Sequence, residues 1–412
     1  MANRFRATLE ELYPGKEPEA GARLDALAEA FSSENRDAVR FFSAPGRVEV
    51  GGNHTDHQGG HILAAAVELD MVAAVLPRED GIMCVHSAGF EPFEVSTAQL
   101  TPQKEEGTSA AFLRGVADYF QQKGYKVGGF TAYMDSQVPA GASLSSSACF
   151  AVLMGAILNG LYNDGAVSAT ELALAAKWAE NVHFGKPCGL MDQLASATGG
   201  FISVDFADET NPVIRQVLCD LRSYDLQLCI LNSKGSHANL TDQYAAIPAE
   251  MKQVAAFFGK ERLSQMKEEE FYQHIGQLRG AVSDRAIMRA MHYFSDDRRA
   301  VMEADALERG DIPLFLSLIN ASGTSSEILL ENTAPEDPNE RSLALSIGYA
   351  KRLLGGRGAC RVQGGGFAGT AEAFVPVSMV DAFVRDFEAL FGPDSVYLMN
   401  IRPYGGVEII GK

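Results

Sequence analysis

The feature that most constrains the fold is a run of small residues followed by a long apolar stretch, "VPAGASLSSSACFAVLMGAILNGLYND", from Val138 to Asp164. The apolar stretch predicts a long helix that begins at its serines. The small residues Gly141, Ala142 and Ser143 would allow the preceding loop to wrap closely around phosphates, toward which the helix would direct its unpaired N–H groups. A serine-capped core helix explains the same residues. By itself, this stretch leaves a phosphate site and a structural helix as equal alternatives.

The rest of the chain alternates between strand and helix patterns. The segment "VRFFSAPGRVEVGGNHTDHQGGHILAAAV" predicts strand, turn, strand and loop before a further apolar element. Residues 169–184 predict a helix, residues 200–232 successive strands, and the charged, periodic segment 240–320 further helices. At 412 residues the chain is too long for one ordinary core. The sequence therefore predicts mixed strands and helices in two domains, which we place at residues 1–205 and 206–412.

Charge and cysteine content limit the partners and the compartment. The 35 basic and 53 acidic residues give a net charge of -18, which opposes nucleic acid and anionic membranes as partners because both need a clustered positive surface. The six cysteines lie far apart, as is typical of reduced thiols in a cytosol. The N-terminus "MANRFRATLEELYPG" carries charges where a signal peptide has an apolar core. We therefore expect a cytoplasmic protein that binds small molecules, with its oligomeric state left open.

The segment "GNHTDHQGG" at residues 52–60 poses a choice between a metal site and a turn that holds something else. Its histidines and aspartate resemble the zinc-binding stretch of metallo-β-lactamase-like hydrolases. Such a site would need a further histidine at position 52, which is Gly52, and another downstream, but none occurs between His86 and His183. We do not expect a metal site here. A turn whose side chains satisfy their own backbone remains an alternative.

Two later segments each have a functional and a structural interpretation. "QGGGFAG" satisfies G-x-G-x-x-G at Gly364, Gly366 and Gly369, but "TAEAFVPV" follows it and alternates like a strand, whereas dinucleotide binding requires a helix there. A backbone approach to an anion and an ordinary hairpin turn both remain. "WAENVHFGKPCGLMDQLAS" contains Glu180 and Asp192, which separately are typical of a surface carboxylate and a helix-start carboxylate.

Together and in this order, these segments resemble the galactokinase family, the sugar 1-kinase branch of the GHMP kinases. The family signature G-R-x-N-L-I-G-E-H-T-D-Y-N is similar to "GRVEVGGNHTDHQ" at residues 46–58. The family phosphate loop P-x-G-A-G-L-S-S-S-A is similar to "PAGASLSSSA" at 139–148. A-E-H followed by C-G-I-M-D-Q is similar to "AEN" at 179–181 and "CGLMDQ" at 188–193, and T-G-G-G-F-G-G to "QGGGFAG". Four motifs in order span most of the chain, which makes the resemblance specific.

The resemblance implies a two-domain α+β fold, the GHMP kinase fold, with an N-terminal domain like the second domain of ribosomal protein S5 and a ferredoxin-like C-terminal domain. It implies phosphorylation of the anomeric hydroxyl of galactose to galactose 1-phosphate, with ATP and Mg²⁺ required. Arg47 and Asp192 would flank the reacting hydroxyl, and Ser147 and Glu180 would bind Mg²⁺. The implied sugar-binding residues are Asn53, His54, Asp56, Gly189 and, by a looser match, Tyr244. The implied nucleotide-binding residues are Gly141, Ala142, Ser143, Leu144, Ser145, Ser146, Ser147, Gly364, Gly365 and Gly366.

The chemistry of phosphoryl transfer suits these residue types. The protein has to hold a hydroxyl in line with the γ-phosphate and to neutralise charge on the transferring oxygens. Asp192 could accept the proton of the hydroxyl, while Arg47 could keep Asp192 ionised and stabilise the developing charge. Backbone N–H groups of the phosphate loop would supply the local positive field that the acidic surface lacks.

Two departures from the family pattern concern the choice of sugar. Asn53 stands where the family usually has Glu, and His57 stands where it has Tyr. Asn can hydrogen-bond a sugar hydroxyl without offering a charged carboxylate. We expect galactose as the substrate and Asn53→Glu to be accepted with little loss. The alternatives are the same chemistry on a uronic acid, an arabinose-like sugar or an N-acetylhexosamine, and a sugar sensor without catalysis.

Overall fold

The structure is a computed structural model that describes residues 5–103, 107–139, 143–235 and 240–411. Its strands are β1 Arg6–Ala7, β2 Arg40–Gly51, β3 His61–Arg78, β4 Ile82–Ser87, β5 Phe93–Ser96, β6 Gly129–Ser136, β7 Phe201–Asp205, β8 Val213–Val217, β9 Leu226–Asn232, β10 Ala359–Val362, β11 Thr370–Pro376, β12 Val396–Met399 and β13 Val407–Ile409. Its α-helices are α1 Leu9–Leu12, α2 Glu17–Ala28, α3 Ser109–Gln122, α4 Ser146–Tyr162, α5 Ala169–Trp178, α6 Met191–Thr198, α7 Thr241–Phe257, α8 Glu268–Gln273, α9 Ile275–Leu278, α10 Asp284–Arg309, α11 Ile312–Ser325, α12 Ser342–Leu354 and α13 Val380–Phe391.

The larger sheet is built around β3. Its order is β1-β13-β2-β3-β6-β4-β5, and β7 and β8 extend it from the first half of β3. The 18 residues of β3 pair with β7 at His61–Ala65 and with β6 at Met71–Arg78. The apolar run Ile62–Val67 is fully buried, because helices α4, α6 and α10 pack against β3. A strand buried in this way has a continuous apolar sequence and not an alternating one.

The turn predicted at "APGR" is wrong, because β2 continues through it. Pro45 lies at an irregularity in the pairing of β2 with β3, between Pro45 and Arg47. A bulge is one of the few places where a sheet accepts proline, since the missing N–H would otherwise interrupt the ladder. The carbonyl of Pro45 accepts a hydrogen bond from Ser196 Oγ at 2.7 Å. Arg47 therefore extends from a strand and not from a flexible turn.

The smaller sheet is antiparallel, with the order β10-β11-β9-β12. Along the chain, β9 is followed by helices, then by β10 and β11, then by α13 and β12. This β-α-β-β-α-β arrangement is ferredoxin-like, as the resemblance implied. Apolar residues of α12 and α13, including Ile347 and Phe387, cluster with Val362 and Ala371 of the sheet. The α+β class is confirmed.

A third group of helices joins the two sheets. The 26-residue helix α10 contacts β2 and β3 of the larger sheet as well as α7 and α11. In turn, α11 packs against β10 of the smaller sheet. A separate apolar cluster, which includes Ile247, Met251 and Ala290, fills the space between α7 and α10. This packing holds α7 against α10, which itself contacts β2 and β3.

The predicted boundary at residue 205 stays a prediction, and the strand pairing adds a detail to it. Both β8 and β13 follow residue 205 in the chain but belong to the larger sheet, where β8 pairs with β7 and β13 with β2. A division that followed the sheets would therefore assign the last strand to the N-terminal unit. In the described part of the chain, no helix combines the length and the apolar character that a membrane crossing requires.

Candidate active site

A cleft of about 540 Å³ opens where β2, the start of α6, α7 and the glycine loop at residues 363–369 meet. A cavity of about 450 Å³ between the N-terminal segment and β9 contains none of the residues predicted to be functional. The cleft is lined by Arg47, Glu49, His54, Asp56, His57, Lys177, Pro187, Cys188, Gly189, Leu190, Met191, Asp192, Phe206, Glu209, Pro248, Lys252, Gly364 and Gly365. It therefore brings together most of the predicted catalytic and sugar-binding residues.

Arg47 and Asp192 form an ion pair in the cleft. Arg47 Nε donates to Asp192 Oδ1 at 2.7 Å, and Nη1 donates to the carbonyl of Ser143 at 2.5 Å. Ser145 Oγ donates to the other oxygen of Asp192. Burial alone would raise the pKa of Asp192, but the charge of Arg47 and the hydrogen bonds from Arg47 and Ser145 outweigh it and hold that pKa below its ordinary value. Asp192 is therefore ionised at neutral pH, with a third of its side chain exposed.

The start of α4 explains why Ser145 is free to contact Asp192. Ser145 is the N-cap residue, in a left-handed conformation with φ 56°, and its side chain makes no capping hydrogen bond. The structure therefore does not support the serine-capped core helix. The N–H groups of the first turn of α4 have no partners within the helix, and with the helix dipole they are suited to bind an anion. Gly141 and Ala142 of the predicted phosphate loop lie outside the described residues.

The phosphate loop also packs against β2. The N–H of Arg47 donates to the carbonyl of Leu144 at 3.2 Å. A Cβ added at Gly46 would lie 3.1 Å from the same carbonyl oxygen. Such a distance is tighter than most real contacts, so the absence of a side chain at Gly46 permits the close approach. The strand that carries Arg47 thus also fixes the position of the loop.

Glu180 lies opposite Ser147, as a shared metal site requires. A π-helical turn, Ala179–His183, follows α5 where the sequence predicted a regular helix, and it directs Glu180 inward. Ser147 Oγ lies 3.4 Å from Glu180 Oε1, and Lys186 Nζ lies 3.2 Å from the same oxygen. Gln193 Nε2 donates to Oε2 at 2.9 Å and fixes the carboxylate. A hydroxyl and a carboxylate are oxygen ligands of the kind that Mg²⁺ prefers.

Asp56 and Gly189 meet on the sugar side of the cleft. A Cβ added at Gly189 would overlap Oδ2 of Asp56, so only glycine leaves room for this carboxylate. Burial raises the pKa of Asp56 to about 6, with a smaller contribution from the negative charge of Asp192. The backbone before Gly189 is held by Asn181, whose Oδ1 accepts the N–H of Cys188 at 2.8 Å. Asn181 stands where the family pattern has histidine, and here its role is to fix this backbone.

The rings of His54 and His57 form a hydrogen bond with each other and further hydrogen bonds with neighbouring residues. His54 Nε2 lies 3.1 Å from the carbonyl of Gly365, which can only accept, so this nitrogen carries the hydrogen. His54 Nδ1 then accepts from His57 Nε2 at 3.3 Å, and Gln58 Nε2 lies 3.3 Å from His57 Nδ1. Burial lowers the pKa of His54 to about 4, so its ring is neutral. In the described ranges, no group of three or more His, Cys, Asp or Glu side chains surrounds a common metal position.

The glycine loop faces the turn that carries His54. Tyr244 on α7 donates its hydroxyl to the carbonyl of Gly366 at 2.9 Å. A Cβ on Gly365 would come within 2.7 Å of the Tyr244 ring, and one on Gly366 would overlap the carbonyl oxygen of Asn332. β11 follows the loop as a strand, so a dinucleotide-binding helix is absent from this described segment. Tyr244 supports the loop and does not itself line the cleft.

Asn53 lies behind the cleft wall. It is fully buried, and its Nδ2 donates to Glu49 Oε1 at 2.7 Å and to the carbonyl of Gly364 at 2.8 Å. Its Oδ1 accepts from Asn332 Nδ2 at 2.8 Å and from Ser326 Oγ at 3.2 Å. Both hydrogens of the amide nitrogen and both lone pairs of the oxygen are therefore engaged by protein. The expected contact between Asn53 and sugar would require breaking these hydrogen bonds.

Glu49, Lys177, Glu209 and Lys252 line the cleft, although the sequence argument did not select them. Glu49 could have been found, because it is two residues from Arg47 on the same strand, and alternate residues of a strand share a face. Nothing in the local sequence singles out the other three. Their elements reach the cleft only through the packing of α5, α7 and the segment after β7.

Comparison with known proteins decides the family. Two family models match: the GHMP kinases N terminal domain over residues 111–200 and the galactokinase galactose-binding signature over residues 26–77. The chain is 30% identical over 352 residues to galactokinase from Streptomyces coelicolor, which covers 85% of this chain and 88% of that protein. Galactokinase from Actinobacillus pleuropneumoniae is 30% identical over 359 residues, with 84% and 88% covered. The chain belongs to the galactokinase family. The resemblance seen in the sequence motifs is confirmed.

The fold of this galactokinase-family protein is also that of a solved structure. The crystal structure of Lactococcus lactis galactokinase complexed with galactose matches with a TM-score of 0.80 at 24% identity and covers 94% of this chain and 99% of that chain. The GHMP kinase fold is therefore confirmed. As a member of the galactokinase family, the protein is a sugar kinase, a phosphotransferase that uses ATP.

Proposed function

We propose that this galactokinase-family protein transfers the γ-phosphoryl group of ATP to the anomeric hydroxyl of galactose. The observation that carries the proposal is the contact of Asp192 with both Arg47 and Ser145 at the start of α4. One carboxylate is thereby fixed between the anion-binding end of a helix and a cleft with space for a sugar. Such a position suits a group that takes the proton from a sugar hydroxyl while the γ-phosphate approaches the oxygen of that hydroxyl.

The proposed reaction uses charges that are already in place. Asp192 accepts the proton of the anomeric hydroxyl while a new bond forms between the hydroxyl oxygen and the γ-phosphorus, and the bond from that phosphorus to the β-phosphate oxygen breaks. A lowered pKa makes Asp192 a weak base, but a loose transition state requires little base strength. Arg47 keeps Asp192 ionised and stabilises negative charge on the transferring oxygens. The products are galactose 1-phosphate and ADP.

A magnesium ion fits the residues at the opposite side of the phosphate loop. Ser147 and Glu180 would hold it, because their oxygens face each other across 3.4 Å. When bound, it would neutralise charge on the phosphate oxygens. Such a small set of protein ligands suits Mg²⁺, which proteins usually hold through one or two carboxylates together with substrate phosphates. Lys186, which is largely exposed, would turn from Glu180 toward phosphate.

The charges around the cleft favour a neutral sugar. The carboxylates Glu49, Asp56, Asp192 and Glu209 line it, against the cations Arg47, Lys177 and Lys252. Lys177 and Glu209 lie 3.8 Å apart, so part of this positive charge is already paired. A uronate would place a further carboxylate among these acids at a cost in binding. Galactose is uncharged, and its hydroxyls would meet acceptors on Asp56 and Glu49.

The test is a coupled ATPase assay over a panel that contains galactose, galacturonate, arabinose and N-acetylgalactosamine, with the product identified by NMR. We expect the highest kcat/KM for galactose, a 1-phosphate product, and loss of activity on addition of EDTA that excess Mg²⁺ restores. A higher kcat/KM for galacturonate would refute the choice of sugar. Binding of sugar and ATP without turnover would favour the sensor.

A further inference from the structure

The exchange of two residues in the sugar signature has a structural meaning. Where the family pattern reads G-R-x-N-L-I-G-E-H, this chain reads "GRVEVGGNH", so the acidic and amide residues have exchanged places, as Glu49 and Asn53. The two side chains contact each other, with Asn53 Nδ2 and Glu49 Oε1 2.7 Å apart. Each residue of the exchanged pair therefore has to be assigned a role from its surroundings.

Asn53 is fixed by elements from distant parts of the chain. Its backbone N–H donates to Asp296 Oδ2 at 2.9 Å, and its carbonyl accepts from His292 Nε2 at 2.8 Å. Its side chain is bonded to Gly364, Asn332 and Ser326 as well as to Glu49. With no exposed surface and no unused donor or acceptor, Asn53 acts on its neighbours and not on a ligand.

Glu49 has the opposite environment, because one of its oxygens remains available. Oε1 accepts from Asn53 Nδ2 and, at 3.3 Å, from Arg361 Nη2. None of the described residues donates a hydrogen bond to Oε2. Both oxygens of Glu303 and of Glu372 are fully enclosed and have no hydrogen-bond partner, whereas Oε2 of Glu49 is not enclosed in this way. Glu49 lines the cleft on the same strand as Arg47. A single carboxylate oxygen thus reaches the cleft from a side chain that is only 6% exposed.

We infer that Glu49 is a sugar-selecting residue, whose Oε2 accepts a hydrogen bond from a hydroxyl of the substrate, and that Asn53 is a positioning residue that holds Glu49 in place. The inference rests on the proposed function and assigns the carboxylate of the sugar site to residue 49. A carboxylate held by Asn53 and Arg361 loses little freedom on binding and presents one oxygen in a fixed direction. It accepts from a hydroxyl and repels an anionic substituent at the same position.

The test is a set of substitutions at both positions. Burial raises the pKa of Glu49 to about 7, so the assay is run at pH 8, where the carboxylate is ionised. There Glu49→Gln keeps the shape and removes the charge, and we expect KM for galactose to rise about 10-fold or more, with KM for ATP within about twofold of wild type. Asn53→Glu alone would place a second buried carboxylate against Glu49, and we expect kcat/KM to fall by more than about 10-fold. In the exchanged variant Glu49→Asn/Asn53→Glu, we expect kcat/KM to recover at least about 10-fold relative to Asn53→Glu.

Glu408→Gln is the matched control. Glu408 is also 6% exposed, lies in the same sheet on β13 and bonds to arginine side chains, but it does not line the cleft. We expect Glu408→Gln to change thermal stability without changing KM for galactose. An effect on KM shared by both Gln variants would mean that burial alone explains Glu49.

The outcomes separate the two proposals. If wild type phosphorylates galactose and Glu49→Gln leaves KM within about twofold, the inference is overturned while the proposed function stands. If wild type prefers another sugar, the choice of galactose fails, and the same KM comparison with the preferred sugar still decides the role of Glu49. If wild type neither phosphorylates nor binds a sugar of the panel by calorimetry, both proposals fall. Glu49→Gln decides the question even where Asn53→Glu does not fold.

Discussion

At the residue scale, the ion pair between Arg47 and Asp192 carries the proposed chemistry. Arg47 is 6% exposed, and its guanidinium divides its donors between Asp192 and the carbonyl of Ser143. This division couples the proposed base to the phosphate loop. A lysine would supply charge at one point but could not donate in both directions with fixed geometry.

Asp192→Asn is expected to reduce kcat by about 10²-fold or more, because the amide cannot accept the proton. The folded structure should persist, since the Asn oxygen still accepts from Arg47 and the Asn amide nitrogen can donate to Ser145 Oγ. Arg47→Lys should reduce kcat by about 10-fold or more, because a lysine cannot donate to both Asp192 and the carbonyl of Ser143 with fixed geometry. Steady-state kinetics and circular dichroism measure both effects, with Asp386→Asn on the distant helix α13 as a control. Near-wild-type kcat in folded Asp192→Asn would remove this residue from the catalytic role.

The sequence motifs were sufficient to select residues that lie in the cleft, but they did not reveal that Asn53 is buried behind it. Arg47, Asp56, Gly189 and Asp192 were selected by their motifs, and the structure brings them to one cleft. The surroundings of Asn53 come from α10, the π-helical turn Ser326–Leu330 after α11 and the glycine loop, so its burial was not visible in the local pattern. For the same reason, we no longer expect Asn53→Glu to be accepted with little loss.

At the element scale, sheet pairing and local helix geometry determine two conformations that residue propensity did not predict. The dipeptide Pro45-Gly46 is a strong turn signal. Here β13 pairs with β2 before the bulge, at residues 41–43, while β3 pairs with β2 on both sides of the bulge and keeps it extended. Likewise, helical periodicity predicted a regular helix over 169–184, but the last turn is π-helical. Such a turn changes the direction of one side chain, often at a functional site, and periodicity does not reveal it.

Glu180→Gln tests the consequence of this π-helical turn. A neutral amide oxygen is a weaker ligand than a carboxylate for a hard cation, so we expect the Mg²⁺ concentration for half-maximal activity to rise about 10-fold. Titration of Mg²⁺ at fixed ATP measures the change. Glu171→Gln, on the first turn of α5 itself, is the control, because Glu171 is engaged by the hydroxyl of Tyr119. An unchanged Mg²⁺ dependence would place the metal ligand elsewhere.

At the scale of the whole molecule, the two sheets are joined by buried charge as well as by helices. Arg361 of β10 is fully buried and donates to the carbonyl of Val50 at 2.8 Å and to Glu49, both on β2. Glu372 of β11 and Glu303 of α10 are buried around the same guanidinium. These residues are scattered over the sequence, and the return of β13 to the larger sheet is equally non-local. Length predicted two domains, but neither feature can be read from a local pattern.

Glu303 leads to a prediction about stability and pH. Burial raises its pKa to about 8, with a smaller contribution from the charge of Asp296. Because the ordinary pKa is about 4.3, the folded protein binds this proton more tightly than the unfolded chain. The contribution of Glu303 to stability is therefore full below about pH 4 and is lost as the pH rises through 8. Asp192, whose pKa is lowered, behaves in the opposite way: its contribution to stability is full at neutral pH and is lost as the pH falls through that lowered pKa.

We therefore expect Glu303→Gln, which stays neutral at every pH, to have a higher free energy of unfolding than wild type, by a margin that grows by about 3 kcal/mol from pH 6 to pH 9. Urea denaturation of both proteins at several pH values measures the difference. Glu308→Gln on the same helix is the control, because Glu308 is half exposed and a surface ion pair with Arg215 contributes little. Parallel pH profiles for wild type and Glu303→Gln would mean that Glu303 is ionised in the folded protein. A buried cation or bound water would then have to compensate its charge beside Arg361 and Glu372.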